Sequence, residues 1–223
     1  MAKNKETLSE KAYTRIYDDI TGLKLICGQK LTLKSLSEMY DVSFTPIREA
    51  LSRLAENGLV SYYSNCGVKV IDFNDDEIID LYRFACELDA LAVFYCSRFP
   101  LQDALCQALR ENVEAGNRAL SCGETAEWDE LSKKFHKIFY FYAQSPCLDE
   151  AAMKLRPRLE LLSCIYYRYT SREKINKEHN NIMELVLSGN FAEAQNMMRS
   201  HLECDMLYAI KGYHEYKEKF GLA

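Results

Sequence analysis

The stretch that most constrains what this chain can fold into is residues 31–59. Two short amphipathic segments lie there, separated by a polar break at Asp41, Val42 and Ser43. In the first, Leu33, Leu36 and Tyr40 recur at helical spacing. In the second, Ile47, Ala50, Leu51 and Leu54 follow i, i+3, i+4, i+7, which puts one apolar stripe against a partner. The pattern predicts a helix-turn-helix. Its second helix has a marked start, with Ser43 or Thr45 as cap and Pro46 in the first turn, where a missing N–H costs little. It stops at Asn57-Gly58.

Winding that helix at about 100° per residue leaves Thr45, Arg48, Glu49 and Ser52 opposite the apolar stripe. In helix-turn-helix proteins this is the side whose leading turn enters the major groove. Two β-rich runs follow, 59–63 and 68–73, around Ser64-Asn65-Cys66-Gly67, the chemistry of a hairpin turn. A hairpin joined to a helix-turn-helix is a wing. Upstream, Leu8, Ala12, Ile16 and Ile20 lie four apart and predict a helix Leu8–Thr21 packed beneath the pair, with residues 21–30 as connecting loop.

Charge alone would not point to nucleic acid. The net charge is −5, and residues 1–74 carry 10 Lys+Arg against 9 Asp+Glu while the remainder carries 18 against 24. The asymmetry has the sign a DNA-binding head requires but is slight, so the motif carries the expectation. No apolar run approaches the roughly 20 residues of a membrane span, and the first residues have no signal-peptide core, so a cytoplasmic protein is expected. Nine cysteines without a C-x-x-C pair read as small buried hydrophobes in a reducing compartment.

Beyond residues 72–76, where Asn74 or Asp75 can cap a helix, only helical periodicity remains. The predicted helices are 75–98, 101–121, 125–143, 148–170, 171–188 and 191–213, broken at Pro100, Cys122-Gly123, Ser145-Pro146 and Gly189-Asn190. Such a bundle builds sites from side chains facing its interior. Three of the four histidines, His136, His179 and His201, fall on different predicted helices among apolar neighbours. Imidazoles gathered from separate helices suit zinc, nickel and similar ions, although no two share the i, i+4 spacing of a local metal motif, and structural histidines are the alternative. Arg83 sits on a helix with apolar neighbours Leu81, Phe84, Leu88 and Leu91 and would need a carboxylate partner, Glu87 or a ligand. The aromatic groups Phe139 to Tyr142 and Tyr166, Tyr167 and Tyr169 suit core or dimer interface, with an aromatic ligand as the other reading.

The run Ser43-Phe44-Thr45-Pro46-Ile47-Arg48-Glu49-Ala50-Leu51, then Leu54, Gly58-Leu59-Val60 and Gly67-Val68-Lys69-Val70, resembles the winged-helix signature of the GntR family of bacterial transcriptional regulators. The resemblance implies DNA contacts from Lys34, Ser43, Phe44, Thr45, Arg48, Ser52, Arg53 and Gly67. Phe44 stands where the family usually has Arg, and Cys27 where it usually has Pro; Phe44 can offer a base only apolar contact. Tyr82-Arg83 through Glu87, Phe135-His136, Glu178-His179 with Gly189-Asn190 and Ala194, and Met198 with His201-Leu202 resemble the FCD ligand-binding domain of the FadR-like subfamily. That likeness implies a divalent metal on His136, His179 and His201, beside a small carboxylate effector held by Arg83. The family's aspartate, one turn before the first histidine, is Ser132 here. Asp129 lies about 10 Å away along the axis from His136 at 1.5 Å per residue. Cys204 or Asp205, one turn beyond His201, offers a thiolate or an outer carboxylate.

The expected protein is therefore mainly α, with a winged helix-turn-helix over 1–74 and an all-helical effector-binding and dimerisation domain over 75–223. The expected function is operator binding by a homodimer, tuned by a small acid. The competing expectation is a metal-dependent hydrolase, since three histidines with an open position can ionise water.

Overall fold

The structure, a computed structural model, describes residues 7–64, 67–98, 102–168 and 170–222. Helix α1 (Leu8–Thr21) opens on a reciprocal cap in which Thr7 Oγ1 accepts from the Glu10 amide and the Glu10 carboxylate accepts from the Thr7 amide. Its Ala12, Ile16 and Ile20 are buried, as are Ile47, Ala50, Leu51 and Leu54 of α3 (Phe44–Glu56), the helix it packs against. Each of these isoleucine and leucine side chains contributes about 1.5–3 kcal/mol by leaving water. Between them α2 (Leu33–Tyr40) ends at Asp41 with φ 54°. That left-handed residue makes the turn. Ser43 is the N-cap of α3 without a side-chain hydrogen bond, so its start rests on the turn and on Pro46.

Strand β1 (Lys30–Thr32), absent from the sequence reading, joins β2 (Val60–Ser64) and β3 (Gly67–Val70) in an antiparallel sheet of order β1-β3-β2. Leu31 lies opposite Val68, and Gly67 opposite Thr32. A Cβ on Gly67 would come within 2.8 Å of the Leu31 carbonyl oxygen and 2.5 Å of Tyr63 Oη. Close strand packing is therefore what requires glycine there. The hairpin turn at Asn65-Cys66 lies outside the described residues.

The C-terminal helices are α4 (Asp75–Cys96), α5 (Gln102–Cys122), α6 (Thr125–Ala143), α7 (Pro146–Tyr166), α8 (Arg172–Leu187) and α9 (Phe191–Phe220). Helix α4, capped by Asn74 with Glu77, packs on α9, α6 and α7 and is buried on most of its circumference. Its Ala85 and Ala92 are fully buried. Helix α9 runs past the expected stop at Tyr213 to Phe220 because its last turns anchor the N-terminal part of the chain. Tyr216 Oη accepts from the Cys27 amide at 3.0 Å, and Tyr213 Oη accepts from the Phe73 amide at 3.1 Å while donating to Asp72 at 2.6 Å. A second tie crosses from α1, where Tyr17 Oη donates to Glu160 of α7 at 2.6 Å. Glu160 also pairs with Lys137 of α6 at 2.6 Å.

Candidate metal centre and nucleic-acid face

Helices α6, α8 and α9 bring His136, His179 and His201 together, all three buried, with one ring nitrogen from each within 4.8 Å of the others. The Nε2 atoms converge: His201 lies 3.2 Å from His179 and 3.4 Å from His136. A tetrahedral zinc ion with arms near 2.1 Å separates its ligand atoms by about 3.4 Å. The spacing fits an ion. On His136 and His201 the opposite nitrogens are held as metal-binding histidines require. Asp89 of α4 accepts from His136 Nδ1 at 2.7 Å, and Glu178 of α8 accepts from His201 Nδ1 at 2.8 Å. Each bond places the proton on Nδ1 and leaves the inward Nε2 lone pair free. His179 is stacked on Phe135 with ring centroids 4.0 Å apart.

Burial draws the His136 pKa down to about 4 despite Asp89. Burial and the two neighbouring imidazoles put His179 well below the usual range. Burial acts the same way on His201, but Asp205 and Glu178 outweigh it and raise the value. Asp89 resists burial because Arg156, His136 and Tyr140 surround it, which holds its carboxyl well below the ordinary value. Arg156 of α7 and the Tyr140 hydroxyl of α6 both contact Asp89 Oδ1. A cavity of about 30 Å³ adjoins the cluster, lined by Tyr82, His136, Arg156, Tyr166, Tyr167 and Asp205 among others.

Asp89 and Arg156 are the participants that sequence reasoning missed, and Arg83 is corrected. Arg83 is exposed, with Phe84 and Leu91, and lines a shallow groove with Glu87 and Leu207 rather than the interior. Glu87 pairs instead with Arg199 at 3.0 Å. The apolar neighbours misled because α4 is apolar nearly all round, leaving no clean polar side to read. Ser132 is buried and hydrogen-bonded to Tyr167 at 2.8 Å. Asp129 is committed to Arg172 at 2.7 Å. Burial raises the Cys204 thiol pKa. Asp205 is buried at the cluster, and burial raises its pKa also.

On the N-terminal side, Ser43, Phe44, Thr45, Arg48, Glu49 and Ser52 are exposed together along the outer face of α3. Lys34 is exposed on α2 beside Glu38. Arg53 lies apart from this group: its guanidinium stacks over Tyr13 of α1, 4.2 Å from the ring centroid. It lines a cleft of about 1040 Å³ between α1 and α3 on one side and α6 and α7 on the other. Gly67 is buried in the sheet. Neither is placed on the outward face of α3.

A winged helix with a solvent-facing second helix, carried on a helical bundle with a polar interior site, defines a DNA-binding transcriptional regulator with an effector-sensing domain. Residues 8–70 match the gntR family of bacterial regulatory proteins and residues 80–203 match the FCD domain; the chain belongs to the gntR family, with an FCD-type C-terminal region. It is 24% identical over 193 residues to YdhC, an uncharacterized HTH-type transcriptional regulator of Bacillus subtilis, covering 86% of each chain. It is 24% identical over 207 residues to the Escherichia coli HTH-type transcriptional repressor GlaR, covering 85% of this chain and 90% of that one. The fold is shared with E. coli McbR/YncC, with a TM-score of 0.76 at 18% identity over 93% of this chain and 99% of that one. The family and these curated relatives are transcriptional regulators, the class expected from the sequence. Among the described residues no helix is long and apolar enough to cross a membrane.

Proposed function

We propose that this protein is a homodimeric, FadR-like operator-binding regulator whose bundle holds a divalent ion, zinc or nickel, as part of a site for a small carboxylate. The observation that carries the DNA half of this reading is the outward face of α3, where Thr45, Arg48 and Ser52 are exposed while the opposite stripe is fully buried. Lys34, Ser43 and Phe44 extend the same surface. One such helix reaches few bases, so two copies on a dyad are required for specificity. Exposed Phe84 and Leu91 on α4 and Leu207 on α9 support a surface that a second copy would cover.

The metal half is supported by the converging Nε2 atoms and by the carboxylates on Nδ1 of His136 and His201. The adjoining cavity holds about 30 Å³. That is room for a water or two, so a bound acid is very small or displaces a tyrosine. Arg156 takes the anion-facing role expected of Arg83. It lines both this cavity and the cleft beneath α1 and α3, so a ligand that moves it acts on the packing of the DNA-binding head. Effector and operator would then shift each other's affinity equally.

Arg48→Ala tests the reading. On a genomic fragment retained by the wild type, loss of an arginine reaching a base should cost about 1–3 kcal/mol per half-site, hence at least tenfold weaker retention in a gel shift with unchanged circular dichroism. Equal retention would remove Arg48 from the DNA face.

A further inference from the structure

Three histidines leave a tetrahedral ion one open position, and Ser132, one turn before His136 on α6, has its hydroxyl engaged by Tyr167. One turn after His201 on α9 stands Asp205, 4% exposed, with Oδ2 3.7 Å from His201 Nε2. Tyr166 donates to Oδ2 at 2.8 Å. Oδ1 is buried with no hydrogen-bond partner. A carboxylate oxygen removed from water without a donor or cation is an unmet acceptor. Acceptance from Tyr166 accounts for one oxygen only.

We propose that Asp205 is the fourth protein ligand of the ion held by His136, His179 and His201, the carboxylate having moved from α6 to α9. This rests on the metal reading above. Positions i and i+4 of a helix lie on one face, so His201 and Asp205 form a ligand pair of the same spacing as the α6 pair that is missing. The other nearby carboxylates are taken: Asp89 by Arg156, Tyr140 and His136 Nδ1, and Glu178 by His201 Nδ1. A small cavity is lined by both His136 and Asp205.

The test uses the full chain, stripped with a chelator and titrated with Zn²⁺ against a chromophoric competitor, and with Co²⁺ as a probe of ligand field. Wild type should bind one Zn²⁺ per chain. Asp205→Asn should bind about 100-fold more weakly or worse, since outer-shell partners alone typically cost 10–100-fold, and its Co²⁺ absorption should change in position and intensity. Tyr166→Phe, which removes only the hydrogen bond to Asp205, should lose less affinity than Asp205→Asn and stay within the roughly 10–100-fold of an outer-shell partner. Without metal, Asp205→Asn should melt no lower than wild type. Asp205→Ser serves for the same comparison if the amide does not fold. Wild-type affinity with an unchanged Co²⁺ spectrum in the Asp205 variant would overturn this inference while leaving the three-histidine centre standing. No Zn²⁺ uptake by the wild type would overturn both.

Discussion

Arg156→Leu should lower the free energy of unfolding by about 3–5 kcal/mol at pH 7, because it strands a buried carboxylate. Asp89 is 1% exposed and takes Arg156, Tyr140 and His136 as partners. Without the guanidinium its charge has only neutral donors in an apolar bundle. The pH dependence has a defined sign. In the wild type the folded pKa of Asp89 is depressed, so this pairing contributes stability that is present above the unfolded value near 3.9 and is lost as pH falls through the lower folded value. In Arg156→Leu burial dominates and raises that folded value, so Asp89 gains a proton more readily. The deficit should narrow from pH 7 toward pH 5. Asp89→Asn in the same background should recover most of the loss. Urea unfolding at both pH values measures it, and a deficit under about 1 kcal/mol would put this pair among exposed ones in energetic terms.

Zinc should raise the melting temperature by roughly 10 °C when its free concentration is about 1,000 times the dissociation constant. A ligand bound only by the folded state contributes about 4 kcal/mol at that ratio, and 1 kcal/mol is about 2–4 °C for a chain of this size. His179→Ala should abolish the gain. His179 is fully within the cluster, 3.2 Å from His201 and flat on Phe135, so its removal also lowers the melting point of the metal-free protein. The decisive quantity is the difference between zinc and chelator in each variant. An equal gain in wild type and His179→Ala would place the ion elsewhere.

The helices legible in the sequence were those with one apolar stripe and clear ends. The expected spans Leu8–Thr21 and 125–143 coincide with α1 and α6. Asp41, with its left-handed φ, and Gly58, with φ +70°, stand where the polar break and stop signal had been read. Strand β1 was missed because three residues carry no periodicity and its pairing with Gly67 to Lys69 is long-range. The end of α9 was missed because its last turns are held by long-range ties of the Tyr213 and Tyr216 hydroxyls to Phe73 and Cys27, which the sequence does not display. At the site, three histidines could be named from the resemblance, but not what holds them. Asp89 and Arg156 are 67 residues apart and meet only through the packing of α4 on α7. Arg83 came from the resemblance and from apolar neighbours, of which Phe84 and Leu91 are exposed.

The most direct measurement of the central claim is selection of fragmented genomic DNA by the full-length protein, followed by footprinting of the retained fragments. The account predicts two protected half-sites related by a dyad, with centres about 10 bp or a multiple apart, and retention that falls steeply with salt. Selection indistinguishable from that by a Thr45→Ala/Arg48→Ala variant, with no recurring half-site, would contradict it.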